Sequence, residues 1–469
     1  MLSKLSICLS LLLVFCCTPN LSADTDIIQD VDIPSSFNPL GSGARAIGMG
    51  GAFIGVADDA TAASWNPGGL IQLEEPEISL VYSYTQRHDD KKFRTEADLD
   101  NSNKNEVDFS RINYFSLAYP FQKGDRNMVV SLNFQHLYDL NYKGRFINKD
   151  IGMENIIADQ QPEDNQEISI SEDSPATDYD ITQDGNIYAL GLAAGGQITP
   201  HVSVGATVNY WGDTLADSEW SNCYISKYSM NYPFFRADFI DVKSERFSFE
   251  GWNVNLGILW QINYKWSLGS VFKSPFTADI VHFRNIKSTT NYLSPDGTVD
   301  NAAVSRDENI SFDEEMDMPA SYGAGFAYRY SDKLTLSGEI YRTHWENFKY
   351  TKHNGITISP ITGEHIDEAD IDPTTWCRLG GEYLIIGDKF VVPLRAGLFY
   401  DPAPASGSAD NYYGFSLGSG ISYKKLVFDA AFTYRFGNDV GTDIFNIEDV
   451  GFSQDVYEYK IYASIIVHL

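Results

Sequence analysis

The sequence predicts an all-β fold: a 14-stranded antiparallel transmembrane β-barrel with a small helical amino-terminal hatch in its lumen. The first observation is alternation, because fourteen runs after residue 76 place apolar and polar residues at alternate positions. The second is the rhythm of the connections, in which every second link is a tight turn and most others are long, polar and acidic. A sheet with short turns at one rim and long loops at the other is typical of an outer-membrane barrel.

The first 23 residues have the pattern of a cleaved export signal. Lys4 precedes an apolar stretch from Leu9 to Cys17, and Ala23 supplies a small residue at the expected cut. The apolar stretch is too short to span a bilayer. The alternative is lipidation at Cys16 or Cys17, against which the bulky Phe15 argues. The predicted segments are a signal peptide at 1–23, a hatch at 24–75 and a transmembrane barrel with long extracellular loops at 76–469.

The predicted hatch differs from the rest of the chain because it is rich in Gly and Ala and lacks alternation. One short helix is expected over about 44–53. A second is expected to begin near Asp58 or Asp59, which are favourable N-caps, and to end before Asn66-Pro67. Asn66 precedes a proline and is therefore biased away from helix, so it can end the helix and form a local cap. These pieces are too short to form a domain, which places them inside the barrel.

The strands that follow have outward apolar faces of membrane-spanning length. In the sixth strand, apolar residues occupy every second position from Trp252 to Ile262, about the length that crosses a bilayer. Because the strand number is even, the two chain termini of the barrel lie at the same rim as the short turns, which is the periplasmic side. The long links, which then face outside, are predicted at about 87–108, 143–183, 214–250, 284–318, 350–373, 401–411 and 438–455.

Composition supports this fold and excludes several functions. The chain carries 64 acidic and 34 basic residues, and a net charge of −30 opposes binding to nucleic acid or to an anionic surface. Its 28 Tyr, 28 Phe and 8 Trp suit the aromatic girdles of a barrel. No long apolar run follows the signal, which excludes a helical membrane protein. A soluble propeller, the alternative all-β fold, would repeat a blade motif that is missing here.

The segment from Gly43 to Leu70, with Gly48-Met-Gly50-Gly51-Ala-Phe near its start, carries a family resemblance. It resembles the hatch of the long-chain fatty-acid transporter family of outer-membrane proteins, the FadL/TodX class with its secretion-associated relatives. That hatch ends in Asn-Pro-Ala, whereas this chain has Asn66-Pro67-Gly68. The resemblance implies gating by the hatch, and a purely structural seal is the alternative. The candidate gating residues are Gly48, Gly50, Gly51, Asp58, Asp59, Asn66, Pro67 and Gly68.

The resemblance also implies a function. It implies import of hydrophobic small molecules, either long-chain fatty acids or hydrocarbons, by capture at external loops, transfer to an apolar pocket and release by hatch movement. A shuttle or anchor in protein secretion, or a general porin with a charged lumen, is the alternative. One long link is rich in aromatic residues, which either capture the ligand or pack on neighbouring loops. Its candidate capture residues are Tyr228, Tyr232, Phe234, Phe235 and Phe239.

We expect no enzyme, no cofactor and no metal centre. No His-Glu-x-x-His motif occurs, and the acidic link at 143–183 lacks a fixed spacing of calcium ligands. His353 and His365 are interpreted as scattered loop residues. Cys223 and Cys377, which remain after the signal, lie toward one rim and either pair or stay free.

The expected surroundings follow from the same resemblance. The partners are a hydrophobic ligand, outer-membrane lipid and lipopolysaccharide, with no nucleic acid, and the chain is expected to be a monomer. The location is the outer membrane of a Gram-negative-type bacterium. A lateral exit through a kinked third strand is a further family feature, but residues 127–142 contain no Gly or Pro that would predict a kink.

Overall fold

The strands of the barrel form one closed antiparallel sheet. A computed structural model describes residues 41–93, 104–148, 177–213, 218–232, 235–293, 299–442 and 452–469. The sheet closes because β1 pairs with β2 on one side and with the last strand, β20, on the other. The strands are β1 Glu77–Phe93, β2 Lys104–Lys123, β3 Arg126–Asp139, β4 Tyr142–Asn148, β5 Thr177–Thr199, β6 Val202–Trp211, β7 Glu219–Tyr232, β8 Phe235–Gln261, β9 Trp266–Lys273, β10 Phe276–Leu293, β11 Val299–Met318, β12 Ser321–Ser331, β13 Leu334–Thr343, β14 Lys349–Thr351, β15 Thr357–Ile358, β16 Thr374–Ile386, β17 Phe390–Tyr400, β18 Tyr412–Tyr423, β19 Leu426–Val440 and β20 Phe452–His468.

These strands occupy fourteen positions in the wall, which confirms the predicted strand number. Five positions are interrupted strands, namely β3 with β4, β6 with β7, β9 with β10, β11 with β12, and β13 with β14. The two parts of β6 and β7, for example, pair with the same two neighbours, β5 and β8. The short strand β15 pairs with β14.

Alternation along each strand separates an apolar outer face from a polar inner face, as predicted. In β8 the side chains of Trp252 and Ile258 are 60% and 50% exposed, whereas Asn253 and Asn255 between them are buried. A band of exposed apolar side chains is what lipid contact requires. Aromatic residues lie at the edges of this band, Trp252 toward the outer side and Trp266 toward the periplasmic turns. None of the helices in the described ranges is long and apolar enough to cross a membrane.

The prediction that residues 214–250 and 284–318 form loops is wrong. The strands β7, β8, β10 and β11 continue through these ranges and raise one side of the wall beyond the lipid-facing band. Alternation persists there with polar outer residues, so the ranges resemble loops in composition but keep strand periodicity. Cross-strand pairs such as Trp220 with Phe247, whose stacked rings lie 4.9 Å apart, fix the register of this raised wall.

The third wall position is interrupted between β3 and β4 although residues 127–142 contain no Gly or Pro. β3 ends at Asp139, β4 begins at Tyr142, and the register with β5 shifts between His136 and Tyr138. Leu140 is buried inside the barrel, and the Asn141 amide donates to the Gly185 carbonyl at 3.3 Å. A bulge can therefore break this strand without a flexible residue.

The described part of the hatch lies inside the barrel against the wall. Its helices are α1, Ala44–Gly48, and α2, Ala62–Trp65, followed by a 3₁₀ segment at Pro67–Gln72. A second 3₁₀ turn, Trp345–Asn347, belongs to the inward-folded connection between β13 and β16. The predicted signal peptide and the start of the hatch, up to residue 40, lie outside the described residues.

Candidate functional site

The hatch contains less helix than predicted. The first helix ends at Gly48, because the chain turns sharply through Gly50 and Gly51, whose φ angles are 72° and 73°. These angles favour glycine. The prediction that Asp58 or Asp59 is an N-cap is wrong, since α2 begins at Ala62. Asp59 instead organises the turn before the helix, where its Oδ1 accepts from the Thr61 backbone N–H at 2.9 Å and from the Thr61 hydroxyl at 2.6 Å.

Asn66 acts as predicted for a residue before proline. It adopts an extended conformation, ends α2 and caps the following 3₁₀ segment by accepting from the Gly68 N–H at 3.0 Å. Its amide nitrogen also donates to the carbonyls of Ile54, at 2.9 Å, and Ile258, at 3.0 Å. One buried side chain thus ties together two parts of the hatch and strand β8 of the wall.

Glycines of the wall let the hatch backbone approach closely. At Gly257, a Cβ atom would lie within 3.0 Å of Asn66, Pro67 and Gly68. At Gly397, it would lie within 3.0 Å of Met49 and Gly50. Because no larger side chain fits without movement, these glycines define a seat shaped to this hatch. The glycines that hatch atoms would crowd in this way are Gly205, Gly257, Gly269, Gly380, Gly397 and Gly418.

Polar side chains of the wall bind the hatch backbone. Glu339 accepts from the N–H groups of Phe53, at 2.9 Å, and Ile54, at 3.0 Å. Ser416 accepts from the Gly50 N–H at 2.8 Å, and Arg378 donates to the Gly50 carbonyl at 3.1 Å. These bonds satisfy hatch groups that irregular structure leaves unpaired.

An ion-pair network holds Asp58 and the first helix. Arg45 contacts Asp58 at 2.6 Å and Glu382 at 3.0 Å, and Arg395 binds the same Glu382 at 2.6 Å. The structure therefore brings all eight candidate gating residues to the contact between hatch and wall or to the turns beside it. Their role in gating stays a prediction. Sequence reasoning missed the wall partners, for which charged residues at inward positions of strands, such as Glu382 and Arg395, are the available signal.

Above the hatch, one side of the lumen is largely apolar. Buried aromatic and aliphatic side chains on the wall from β3 to β11 form one cluster, which we call the chamber. Trp211 stacks on Phe276 with ring centroids 5.5 Å apart. The wall residues of the chamber are Tyr138, Leu140, Ile187, Ala189, Trp211, Trp220, Phe247, Phe249, Ala278, Ile280, Met316 and Met318, with Tyr412, Val440 and Val456 across the lumen.

A row of amides forms the floor of the chamber. Gln135 donates to Asn209 at 3.1 Å, Asn209 to Asn253 at 2.9 Å, and Asn253 to Asn255 at 3.2 Å. Next to this row lies a cavity of about 50 Å³, which is also lined by Lys273. In the part of the chain that the structure describes, no carboxylate forms a salt bridge with Lys273, whose ammonium lies 5.8 Å from the centre of the Tyr341 ring.

Four of the five candidate capture residues lie on the strands of a hairpin and not in a loop. Tyr228 on β7 stacks on Phe239 on β8, with ring centroids 4.7 Å apart and planes 7° apart. Tyr232 and Phe235 are backbone partners at the tip of this hairpin. Phe234 lies outside the described residues. The structure therefore brings Tyr228 and Phe239 together on the raised wall, and capture stays a prediction.

The cysteines and histidines show no metal-binding arrangement within the described ranges. No group of three or more His, Cys, Asp and Glu residues there is placed to hold a metal ion. Cys223 and Cys377 are both free. His353 contacts Glu314, and His365 contacts the exposed Asp367. Most of the acidic link at 143–183 lies outside the described residues.

Strand β18 contains a Gly-x-Ser-x-Gly pattern at residues 414–418, the outline of a serine-hydrolase nucleophile turn. In those enzymes the serine sits on a sharp turn between a strand and a helix. Here Ser416 lies inside β18, and its hydroxyl accepts from the Gly50 N–H and donates to the Gly48 carbonyl at 3.1 Å. The local structure is thus a strand that binds the hatch.

Two comparisons with known proteins, one with family models and one with solved structures, agree with this fold. A family model described as outer membrane protein transport protein (OMPP1/FadL/TodX) matches residues 168–463. The structure is similar to a FadL homologue of Pseudomonas aeruginosa, with 14% identity and a TM-score of 0.57 over 93% of this chain and 99% of that chain. It is also similar to the toluene transporter TodX of Pseudomonas putida, with 13% identity and a TM-score of 0.52 over 92% and 99% of the two chains. The comparison with curated proteins finds no match.

Proposed function

Because this chain belongs to the outer membrane transport protein family (OMPP1/FadL/TodX) and is an outer-membrane β-barrel, we propose that it imports long-chain fatty acids. The observation that carries the proposal is the apolar chamber, which has a row of amides at its floor and the half-buried Lys273 beside them. Barrel interiors are ordinarily polar, and an apolar chamber above a closed hatch opposes an aqueous porin. Burial of alkyl surface there would drive binding by about 25 cal/mol per Å².

The proposed path uses the predicted segments in order. The stacked Tyr228 and Phe239 on the raised wall offer half-buried aromatic surface for capture. The chamber then receives the alkyl chain, and the hatch, proposed to be residues 24–75, separates it from the periplasm. Below the described hatch, a polar cavity of about 590 Å³ opens between Gln72 and the turns near Gln122 and Gln197. Movement of the hatch would connect the chamber with this cavity.

Lys273 favours a fatty acid over a hydrocarbon. One relative by fold is a FadL homologue and another a toluene transporter, so fold likeness leaves both substrate classes open. A lysine at the floor of an apolar chamber is a costly group unless a partner compensates its charge. Glu339 attracts the Lys273 ammonium electrostatically without forming a salt bridge. A ligand carboxylate could supply the direct partner, while the amide row of Asn253 and Asn255 could donate further hydrogen bonds.

The test compares ligands and charge variants in one host. Uptake of laurate and of dodecane is measured in cells that lack their own outer-membrane fatty-acid uptake and produce this protein. We expect saturable laurate uptake and, from decanoate to laurate, roughly fourfold tighter binding per added CH₂ at about 0.8 kcal/mol each. Lys273→Met is expected to weaken laurate binding about tenfold, as the loss of a charged hydrogen bond does.

The control is Lys333→Met, which removes a lysine from the exposed turn between β12 and β13. It should leave laurate uptake unchanged. If Lys273→Met takes up laurate as well as the unchanged protein does, and the two also take up dodecane equally, the result would contradict a carboxylate-binding role for Lys273. Diffusive uptake of small sugars without saturable laurate uptake would instead indicate a porin.

A further inference from the structure

The connection between β13 and β16 folds into the mouth of the barrel. We call residues 344–373 the outer segment; all of them are described. Trp345, Phe348 and Ile361 are almost completely buried and belong to the same apolar cluster as the chamber wall. By contrast, Glu364, His365, Asp367 and Glu368 of the segment are exposed. The segment therefore presents an apolar face to the chamber and an acidic face to the outside.

Among the described residues, the chamber cavity beside the segment is small. The cavity beside Trp211 and Met318, which both belong to the apolar cluster, has a volume of about 50 Å³. Pockets for drug-sized ligands measure roughly 300–1,000 Å³. An alkyl chain could enter only by taking the volume that Trp345 and Phe348 now fill.

A buried cluster of polar groups fastens the segment to the wall. Glu314 on β11 accepts from the His353 backbone N–H at 3.2 Å and from the Tyr350 hydroxyl. Both residues belong to the outer segment, and Tyr350 lies in its strand β14. His353 also stacks on Phe312 at 3.9 Å. Glu314 is thus the buried side chain that the segment grips, beside the short main-chain pairing of β14 with β11 and the apolar contacts with the chamber.

The same glutamate is held by two further strands. His282 on β10 lies between carboxylates, with Nδ1 2.9 Å from Glu314 and Nε2 3.0 Å from Glu245 on β8. Arg284 binds Glu245 at 2.8 Å, and Lys243 lies 3.4 Å from it. The outward residues of this layer are mixed, with the exposed charges Arg246 and Asp313 beside the exposed apolar Val281 and Phe283, so the cluster lies at the outer edge of the lipid-facing band.

We propose that the outer segment is an autoinhibitory plug, whose apolar side chains occupy the ligand's place in the chamber until its grip on Glu314 is released. The inference rests on the proposed function in one respect, namely that the chamber receives the ligand. A hydrophobic ligand would compete directly with Trp345 and Phe348 for the same apolar surface. The segment pairs with the wall through only the three residues of β14, so it can be displaced more easily than a strand that pairs along its whole length.

A reversible crosslink tests whether the segment must move. In a chain with Cys223→Ser and Cys377→Ser, the changes Glu315→Cys and Thr351→Cys join direct antiparallel partners of β11 and β14. Such pairs lie within disulfide reach. We expect oxidation to reduce laurate uptake at least tenfold and reduction to restore it. Equal uptake in the two states would overturn the proposal.

The matched control is Ser229→Cys with Asp238→Cys in the same background. These partners join β7 to β8 on the raised wall and do not touch the outer segment. Oxidation of this pair should leave laurate uptake unchanged, which separates plug locking from general stiffening of the extracellular wall.

A second readout does not depend on transport. Ser359 is buried in the outer segment, so Ser359→Cys in the background without native cysteines reports opening through reaction with an impermeant maleimide on whole cells. Glu314→Gln should speed labelling roughly tenfold, because hydrogen bonds to charged groups contribute about 1.5–3 kcal/mol. Glu308→Gln, an exposed change on the same strand, should leave the rate unchanged.

Unchanged labelling in Glu314→Gln would overturn the proposed grip. Faster labelling together with no laurate uptake in any variant would contradict fatty-acid import and would support the plug as a gate of this chamber for another ligand. The labelling rate therefore tests the plug, and laurate uptake tests fatty-acid import, independently of each other.

Discussion

The barrel is closed at two levels, and the two closures are built differently. The hatch sits on wall glycines that leave no room for a Cβ atom, and wall side chains bind its backbone at several points around the barrel. The outer segment presses apolar side chains into the chamber, grips Glu314 and pairs with the wall through the short strand β14. Close backbone packing resists any displacement, whereas side-chain burial can be replaced by a ligand of similar character. The difference indicates a tight inner seal and an exchangeable outer plug.

The largest expected effect is on the inner seal. Gly257→Ala places a methyl group within 3.0 Å of Asn66 and Pro67, so the hatch must shift. We expect a loss of about 3 kcal/mol in the free energy of unfolding, at the upper end for overpacking. Urea unfolding followed by gel mobility measures this, and single-channel recording tests for leak. Gly196→Ala, where nothing lies within 4 Å, is the control. Equal stability of the two variants would show that the glycine seat is not tight.

A smaller effect is expected from Glu339→Gln. This change removes the charge that accepts two hatch N–H groups, at 2.9 and 3.0 Å, and preserves the shape of the side chain. We expect a loss of about 2 kcal/mol in the free energy of unfolding. The exposed Glu315→Gln should cost little in the same urea titration. An unchanged midpoint for Glu339→Gln would mean that packing alone holds the hatch.

The grip of the outer plug should respond to pH. Burial opposes the charge on His282, but hydrogen bonds to Glu245 and Glu314 outweigh it and raise the pKa of His282. A raised pKa gives stabilisation that is fully present below the unfolded pKa of about 6.5 and is lost as pH rises through the folded pKa. Labelling of Ser359→Cys, normalised to the exposed Asp307→Cys, should therefore increase up to about tenfold in alkali.

Acid should not open the plug until very low pH. Burial would raise the pKa of Glu314, but hydrogen bonds from His282, Tyr350 and His353 lower it to about 2. Its contribution is present above the unfolded pKa of about 4.5 and is lost only as pH falls toward about 2. His282→Gln should remove the alkaline dependence. Labelling that keeps the same pH profile in this variant would assign the dependence to Arg284, Lys243 or another neighbour.

The smallest effect is expected at the capture hairpin. Phe239→Ala removes the ring that stacks on Tyr228, and aromatic pairs contribute about 0.5–1.5 kcal/mol. We expect the laurate concentration for half-maximal uptake to rise a few-fold, with the maximal rate preserved. Tyr264→Ala, in an exposed periplasmic turn, is the control. A fall in maximal rate without a change in half-saturation would place the hairpin outside the capture step.

Much of the barrel could be predicted because its signals are local. The outward face of β8 was readable from Trp252 to Ile262, since alternation depends only on the pleat of one strand. The end of α2 at Asn66 was readable because proline restricts the residue before it. The interruption at Leu140 was not, since it is a bulge that no Gly or Pro marks. Residues 214–250 were assigned to a loop because polar outer faces hid their strand periodicity.

By itself the sequence determined the strand number, the lipid-facing side of each strand and the end of α2 at Asn66, because pleat geometry and φ restriction act over a few residues. Only the tertiary structure decided which way residues 344–373 fold and that Glu245, His282 and Glu314 meet. It also decided that Gly257 and Gly397 face the hatch. These contacts join residues far apart in the chain, and they arise from barrel closure and strand register, which no single segment encodes.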